Sequence, residues 1–405
     1  MKLVYRIHQA DTSGDSIPTT EDPFTMSDYT PKTANKPRIG VLTGYWSTNI
    51  GNAFFQLGAV YALQQAYPSA HVFPIGDQPG YWNTSSGNPP NSIDYAKHLD
   101  LDAIVILGPY VRPEMNGIVS DLIRTQHEKG AKIMVLAAGM MQYDPGTIDI
   151  SRTLMKECPP HIFTTRDSET YDALGDLAEF AFDGVDVATF VSDLFPKVPT
   201  DLEPYIAVNF DQIPEPLIST DMDFSGRTDR SFEHDGKTWK IQQPKRRTEF
   251  CYKHRAYIFL DSLLGLNSGP DQIDGKLVVR TDHRYNPFLM KKNYRANNIY
   301  SGDVPYSYLN IYANADLTIS NRVHACVATV AYGNPAMLFT RSPRAYLLKR
   351  LGLDNIKNEP QRVDLSFLAD EKAKLIEWLS ERLTDMFGNS TESEARETVS
   401  GVSNG

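Results

Sequence analysis

The chain has 405 residues, 41% of them apolar by type, which is enough for two separate cores rather than one. Its formal net charge of -10 excludes the dominant basic surface that nucleic-acid phosphates require, so no nucleic-acid partner is expected. Three cysteines, Cys158, Cys251 and Cys326, are too few and too scattered for a disulfide framework or a structural zinc site. No run of about eighteen apolar residues is present to span a membrane. The first residues also lack the apolar core of a secretory signal, so a cytoplasmic location is expected.

Residues 1–37 are rich in Asp, Ser, Thr and Pro without apolar periodicity and read as a flexible arm. Residues 39–43 form a first strand, followed by a Gly/Ser/Thr/Asn loop. A helix over 53–66 then places Phe54, Leu57, Tyr61 and Ala62 on or near one face. Residues 72–75, 103–107, 133–137 and 162–165 are further short apolar strands, and 117–129 a helix. The strand at 162–165 runs straight into Arg166, Asp167 and Ser168. Short apolar strands alternating with helices predict a parallel sheet covered on both faces. Ligands of such sheets gather beyond the carboxyl ends of the strands.

After a proline-containing stretch at 196–204 the pattern restarts with a strand at 205–210. A long polar segment, 211–247, interrupts it as an insertion or elaborate loop. Its basic cluster, Lys240, Lys245, Arg246 and Arg247, continues to Lys253, His254 and Arg255, and reads as a solvated loop or as a rim attracting an anionic substrate. Further elements are a helix at 256–266, a strand at 277–280, a helix at 309–314, a strand at 317–320, a helix at 322–332 and a strand at 336–339. A last amphipathic helix at 371–386 carries Leu375, Ile376, Leu379, Leu383 and Met386 on one face, and 388–405 reads as a flexible tail. The whole predicts an α/β protein of two doubly wound, Rossmann-like domains, 38–198 and 199–387, facing a cleft.

The most informative segment is 315–339. A buried strand delivers Ser320 and Asn321, either of which can cap the next helix, so that Arg322 and His324 fall in its first turn. A helix start already favours negative charge, and an arginine there opposes the macrodipole unless an anion is bound. Guanidinium pairs bidentately with carboxylate or phosphate, which makes Ser320, Asn321, Arg322 and His324 an anion-binding candidate.

This segment resembles the signature of the polysaccharide pyruvyl transferases, in which a strand ends in Ser-x-Arg-x-His and a helix leads to Gly-x-Pro. The matching positions are Ser320, Arg322, His324, Gly333 and Pro335. A second match is Asn49-Ile50-Gly51-Asn52 with Gln56 and Leu63, where the family usually has Asn-x-Gly-Asp, so Asn52 removes one carboxylate. Arg166-Asp167 with Thr170 resembles the family's Arg-Asp/Glu-x-x-Ser/Thr, and Gly184-Val185-Asp186 its Gly-x-Asp. Order and spacing match over roughly residues 38–345.

The resemblance implies a glycosyltransferase-B-like pair of domains and transfer of the enolpyruvyl unit of phosphoenolpyruvate onto two sugar hydroxyls, giving a pyruvate ketal. No cofactor is implied beyond phosphoenolpyruvate as donor, and no metal-ligand spacing is present. Protonating the methylene makes the central carbon electrophilic, which asks for an acid near working pH. His324 is the natural acid, with Arg322 and Arg166 holding donor charge. Tyr45, Trp46, Asn49, Gly51, Asn52 and Gln56 are candidates for the saccharide acceptor, by stacking, hydrogen bonding or close backbone approach. Arg166 reads equally as an ion-pair partner of Asp167 or Asp183. His283, flanked by Arg280, Asp282 and Arg284, is a second polar wall and a fallback acid–base group, or a salt-bridge network. A nucleotide-sugar glycosyltransferase and a non-catalytic carbohydrate-binding member are the competing readings.

Overall fold

A computed structural model describes residues 36–42, 46, 49–76, 92–108, 118–210, 213, 215–222, 224, 228–242, 269–283, 297–340 and 342–400. Tyr45, the expected helix at 256–266 and the basic cluster other than Lys240 lie outside the described residues. Pro37–Gly405 forms one compact unit.

The first half alternates strand and helix. It runs β1 (Arg38–Leu42), α1 (Gly51–Ala66), β2 (His71–Ile75), α2 (Ser92–Ala96), β3 (Ala103–Leu107), α3 (Ile118–Glu128) and β4 (Lys132–Ala138). It continues through α4 (Pro145–Glu157), β5 (Ile162–Thr165), α5 (Ser168–Leu174), β6 (Phe180–Asp183), a 3-10 turn at Val187–Phe190 and α6 (Val191–Leu194). The six strands pair in parallel in the order β2-β1-β3-β4-β5-β6. Strands β3 and β5 are buried at every residue, the reason they read as continuous apolar runs rather than alternating ones.

The second half contains β7 (Tyr205–Asn209), β8 (Leu217–Ser219), β9 (Arg230–His234), β10 (Lys237–Gln242), β11 (Gln272–Ile273) and β12 (Lys276–Arg280). Then follow α7 (Pro305–Asn314), β13 (Leu317–Ser320), α8 (Val323–Ala331), β14 (Ala336–Leu338), α9 (Tyr346–Arg350) and α10 (Leu365–Ser400). Its main sheet has the order β11-β12-β7-β13-β14, parallel except for the β11–β12 pair. Each half therefore has the doubly wound topology expected of it.

Two regions differ from the sequence-based expectation. The polar segment 211–247 contains a small antiparallel sheet, β8-β10-β9, rather than loop alone. Asp235 and Gly236, both at positive φ, turn the β9–β10 hairpin, the backbone a two-residue turn demands. The inward residues Ile218, Phe232, Trp239 and Ile241 share one apolar cluster with Ile206, Val208 and Phe339 of the larger sheet. The last helix starts before residue 371 and continues past Gly388 to Ser400, where a flexible tail was expected.

Helix α10 also returns to the first half. Leu375, Leu379 and Leu383 are buried, Trp378 stacks on Phe182 of β6 at 5.2 Å, and Lys372 pairs with Asp193 at 2.6 Å. By contact this helix belongs with the first sheet, although its sequence position lies in the expected second domain. Helix α1 is held as closely, against the Val187–Phe190 turn. A Cβ on Gly58 would stand 1.9 Å from the carbonyl oxygen of Val187, so only glycine permits that approach. Gly58→Ala is expected to cost about 1–3 kcal/mol by overpacking, read as a lower urea midpoint; an unchanged midpoint would refute this packing account.

Candidate active site

Both sheets have a switch point in strand order. In the first, the chain leaves β1 for β2 on one side and returns to β3 on the other; in the second, β7 is flanked by β12 and β13. Loops diverge at such points and leave a crevice beyond the strand ends. One pocket collects residues from both: Asn49 after β1, Arg166 after β5, His283 after β12, Arg322 and His324 after β13, and Arg344 after β14. Val323 and Leu347 close its apolar side, and its space is about 310 Å³ with the opening counted.

Asn209, at the end of β7, sets the register of the second half's contribution. Its side-chain amide donates to the Thr281 carbonyl at 3.0 Å, and its oxygen accepts from the Ser320 hydroxyl at 3.3 Å. The same hydroxyl accepts the Arg322 amide at 2.8 Å. This turn moves the helix cap along by one or two residues: Arg322 is the N-cap of α8, without a side-chain cap, instead of Ser320 or Asn321. Ser320 is wholly buried and Asn321 nearly so, with its amide on the Asn209 carbonyl at 3.0 Å. Ser320 therefore positions Arg322 from behind.

In the first half, β4 bulges before its end. Its register against β5 shifts between Val135 and Ala138, and Ala137 takes φ 50°, a left-handed conformation costly for alanine. Gly108 and Gly139 follow β3 and β4, and the Arg166 side chain lies over both. A Cβ on Gly139 would meet its Nε at 2.3 Å, and one on Gly108 its Nη1 at 3.4 Å. The guanidinium pairs with Asp186 at 2.8 Å, and both residues are 1% exposed. The partner is thus neither Asp167 nor Asp183. Asp167 caps α5 through the Thr170 amide at 2.8 Å, and Asp183 accepts from Ser168 and Arg350.

Asp186 joins the two halves. One oxygen accepts the Ala188 amide at 2.8 Å; the other, bonded to Arg166, lies 3.5 Å from His324 Nε2. The imidazole also packs on Phe55 of α1, with ring centroids 5.1 Å apart. Burial alone would raise the Asp186 carboxyl, but Arg166 and then His324 outweigh it and hold the group well below the usual carboxylate range. Burial lowers His324, Arg166 and Arg344 push the same way, and Asp186 opposes them without prevailing. The balance favours the neutral imidazole in the ligand-free protein. Of the described pocket-lining residues three are arginines, two histidines and none a carboxylate, which suits an anionic ligand.

The remaining candidates divide. His283 lines the pocket, but Tyr312 Oη lies 2.5 Å from its Nε2, and Phe54, Tyr308 and Tyr312 box the ring. Gly51 makes room for it, since a Cβ there would stand 2.9 Å from Nδ1, and the Ile50 amide donates to the His283 carbonyl at 2.8 Å. Asn49 donates to Asn52 Oδ1 at 2.9 Å. An aspartate at 52 would accept the same bond, so the substitution removes a charge and keeps the contact. Gln56 is wholly buried and donates to the Val41 carbonyl at 3.0 Å, which completes the end of β1 instead of reaching an acceptor. Trp46 packs partly buried against the main core. Arg280 makes a bidentate pair with Glu215 at 2.9 and 3.0 Å and also contacts Asp271, so of its two readings the salt-bridge network is the one found and not the cleft wall.

The family model of polysaccharide pyruvyl transferases matches residues 49–343, about three quarters of the chain. The chain belongs to that family. Its motif residues Asn49, Arg166, Arg322 and His324 all line the pocket, and Asp186 braces it from below. None of the curated proteins matches the chain. Solved structures similar to it include Staphylococcus aureus MnaA with UDP, at 10% identity and TM-score 0.48, covering 85% of this chain and 91% of that one. Another is UDP-GlcNAc 2-epimerase of Methanocaldococcus jannaschii with UDP-GlcNAc and UDP, at 12% identity and TM-score 0.46, covering 86% and 99%. Among the described residues no helix is long and apolar enough to cross a membrane.

Sequence reading passed over Asp186, Arg344 and Asn209 as site-building residues. Asp186 stood in a recognised Gly-x-Asp, and a carboxylate set directly between Val185 and Val187 was the available signal. Asn209 at the end of an otherwise apolar strand was another. Because Asp186 and Arg166 are both buried, removing one charge strands the other. Asp186→Asn should cost about 3–5 kcal/mol in urea unfolding, and the double variant Asp186→Leu/Arg166→Met should recover much of it. Additive losses would contradict a coupled pair.

Proposed function

We propose that the protein transfers the enolpyruvyl unit of phosphoenolpyruvate onto two hydroxyls of a saccharide, a glycan or its precursor, to form a pyruvate ketal. The observation that carries this reading is the convergence of Arg166, Arg322, Arg344 and His324 on one small pocket at the switch points of both sheets. Three arginines and no carboxylate among its described lining residues suit a small donor that carries several negative charges. A cytoplasmic location goes with this reading.

The chemistry follows from charge. A proton delivered to the methylene of phosphoenolpyruvate leaves positive charge on the central carbon, and a sugar hydroxyl adds there with loss of its proton. The carbon–oxygen bond to phosphate then breaks, and the second hydroxyl closes the ketal. Of the two hydroxyl protons, one ends on the new methyl group and the other on the released hydrogen phosphate. Arg322 holds the donor anion and stabilises charge that grows on the leaving phosphate. His324 supplies the first proton and is reloaded by one hydroxyl proton, while the other leaves with the phosphate.

A neutral resting His324 is consistent with that role. A bound multivalent anion adds negative potential and raises the imidazole's proton affinity, so the donor loads its own acid. In the free enzyme the requirement for protonated His324 gives a kcat/KM that falls as pH rises through a value below 6.5. The corresponding limb of kcat, which reports the complex, should lie at higher pH.

The test is calorimetric titration with phosphoenolpyruvate beside phosphate release on saccharide acceptors. Arg322→Ala should weaken binding about 10–100-fold, as loss of a charge-assisted pair does. His324→Ala should keep binding and lose about 10²–10⁴ in kcat. Wild-type protein that ignores phosphoenolpyruvate at millimolar concentration but binds a nucleotide sugar would overturn the proposal.

A further inference from the structure

Asp183, the last residue of β6, is a node at which both halves meet. Its Oδ1 accepts from the Thr165 hydroxyl at 3.0 Å, and its Oδ2 from Ser168 at 2.8 Å and the Arg350 guanidinium at 3.2 Å. Thr165 directly precedes Arg166, and its carbonyl accepts the Gly184 amide at 3.0 Å. Only Gly184 and Val185 separate Asp183 from Asp186. The strand ends that deliver the buried Arg166–Asp186 pair are therefore tied at this one carboxylate. Arg350 reaches it from the second half, where it closes α9, and Leu347 one turn earlier lines the pocket. The same guanidinium donates to the Asp183 carbonyl at 3.0 Å and to Glu371 of α10 at 3.0 Å.

We infer that Arg350 is a positioning residue that sets the distance between Asp186 and His324 by locking α9 to the ends of β5 and β6. A single exposed ion pair contributes little. This guanidinium instead spans a carboxylate, a carbonyl and the buried Glu371, which only a fork of N–H donors can reach together. Asp186 and His324 come from different halves, so the 3.5 Å between them holds only while the halves keep their spacing. Arg350 is placed to keep it, because its partner lies three residues before Asp186 and its own helix walls the pocket beside His324. Lys372 of α10 grips the far end of the same stretch, pairing with Asp193 at 2.6 Å. Loosening the lock uncovers His324 and draws it away from Asp186, Arg166 and Arg344, the charged groups that act on it. Arg322 and His283 also line its pocket. Burial is the largest influence on the imidazole, so its proton affinity then rises. The inference rests on the proposed reaction only in taking His324 as the acid; the geometry needs no donor.

The experiment is an NMR pH titration of His324 in the ligand-free protein, for wild type, Arg350→Met, Arg350→Lys and Arg152→Met. Arg152 is the matched control: it is about as exposed as Arg350 and pairs with Asp176 and the Ala173 carbonyl, all within the first half. The inference expects the His324 titration to rise from below 6.5 toward that value in Arg350→Met, less in Arg350→Lys, and not at all in Arg152→Met. A merely structural staple would lower the urea midpoint of both Met variants and move His324 in neither. An unmoved His324 in folded Arg350→Met would overturn the inference, as would equal shifts in the two Met variants. Should Arg350→Met not fold, Arg350→Lys decides in the same way, since its ammonium lacks the fork. No phosphoenolpyruvate is present in this titration, so failure of wild type to bind it would sink the proposed reaction and leave the positioning result standing.

Discussion

The pair of Arg166 and Asp186 is a buried ion pair between two nearly inaccessible side chains, and much of the first half is arranged around its cost. Removing two charges from water is expensive, and close geometry with further hydrogen bonds must offset it. The bulge at Ala137 and the glycines at 108 and 139 clear a trough for the guanidinium. The 3-10 turn at Val187–Phe190 supplies the Ala188 amide to the carboxylate, and α1 is drawn against that turn through Gly58. Hydrophobic burial alone would not select this arrangement, since an apolar pair of similar volume stabilises as well or better. What it provides is a fixed negative charge at 3.5 Å from His324.

That charge has an effect across the two sheets. His324 belongs to the second half by sequence, yet Phe55 of α1 packs on its ring and Asp186 of the first half faces its Nε2. The proton affinity of the histidine therefore depends on how the halves meet. Helix α10 bears on that meeting, because it follows the second sheet in sequence and packs on the first through Trp378, Phe387 and Lys372. Arg350 of α9 adds a bridge between Asp183 and Glu371. His324 and the clamp between the halves are parts of one mechanical unit.

The fold was largely legible in the sequence because its strands are short, apolar and buried on both faces. The pattern gave residues 103–107, 162–165 and 317–320 without error, since those strands are entirely buried. It failed at 211–247, where strands half-exposed to solvent carry mostly polar residues and only Ile218, Phe232, Trp239 and Ile241 betray the inner face. It failed again at the end of α10, since composition rich in Ser and Glu permits a helix as readily as a tail. At the site, Arg322, His324, Arg166 and Asn49 converge as their motifs suggested. Gln56 and Arg280 carried the right chemistry but are spent on the Val41 carbonyl and on Glu215, partners distant in sequence that no local pattern reveals.

The central claim is that His324 rests neutral beneath two arginines and gains its proton when the donor anion arrives. The most direct measurement is an NMR pH titration of the His324 imidazole, assigned by difference with His324→Gln, with and without saturating phosphoenolpyruvate. The account predicts a value below 6.5 in the free protein and a clear rise with the donor bound. A histidine already protonated at pH 7 without ligand, or one whose titration the donor leaves unmoved, would contradict it.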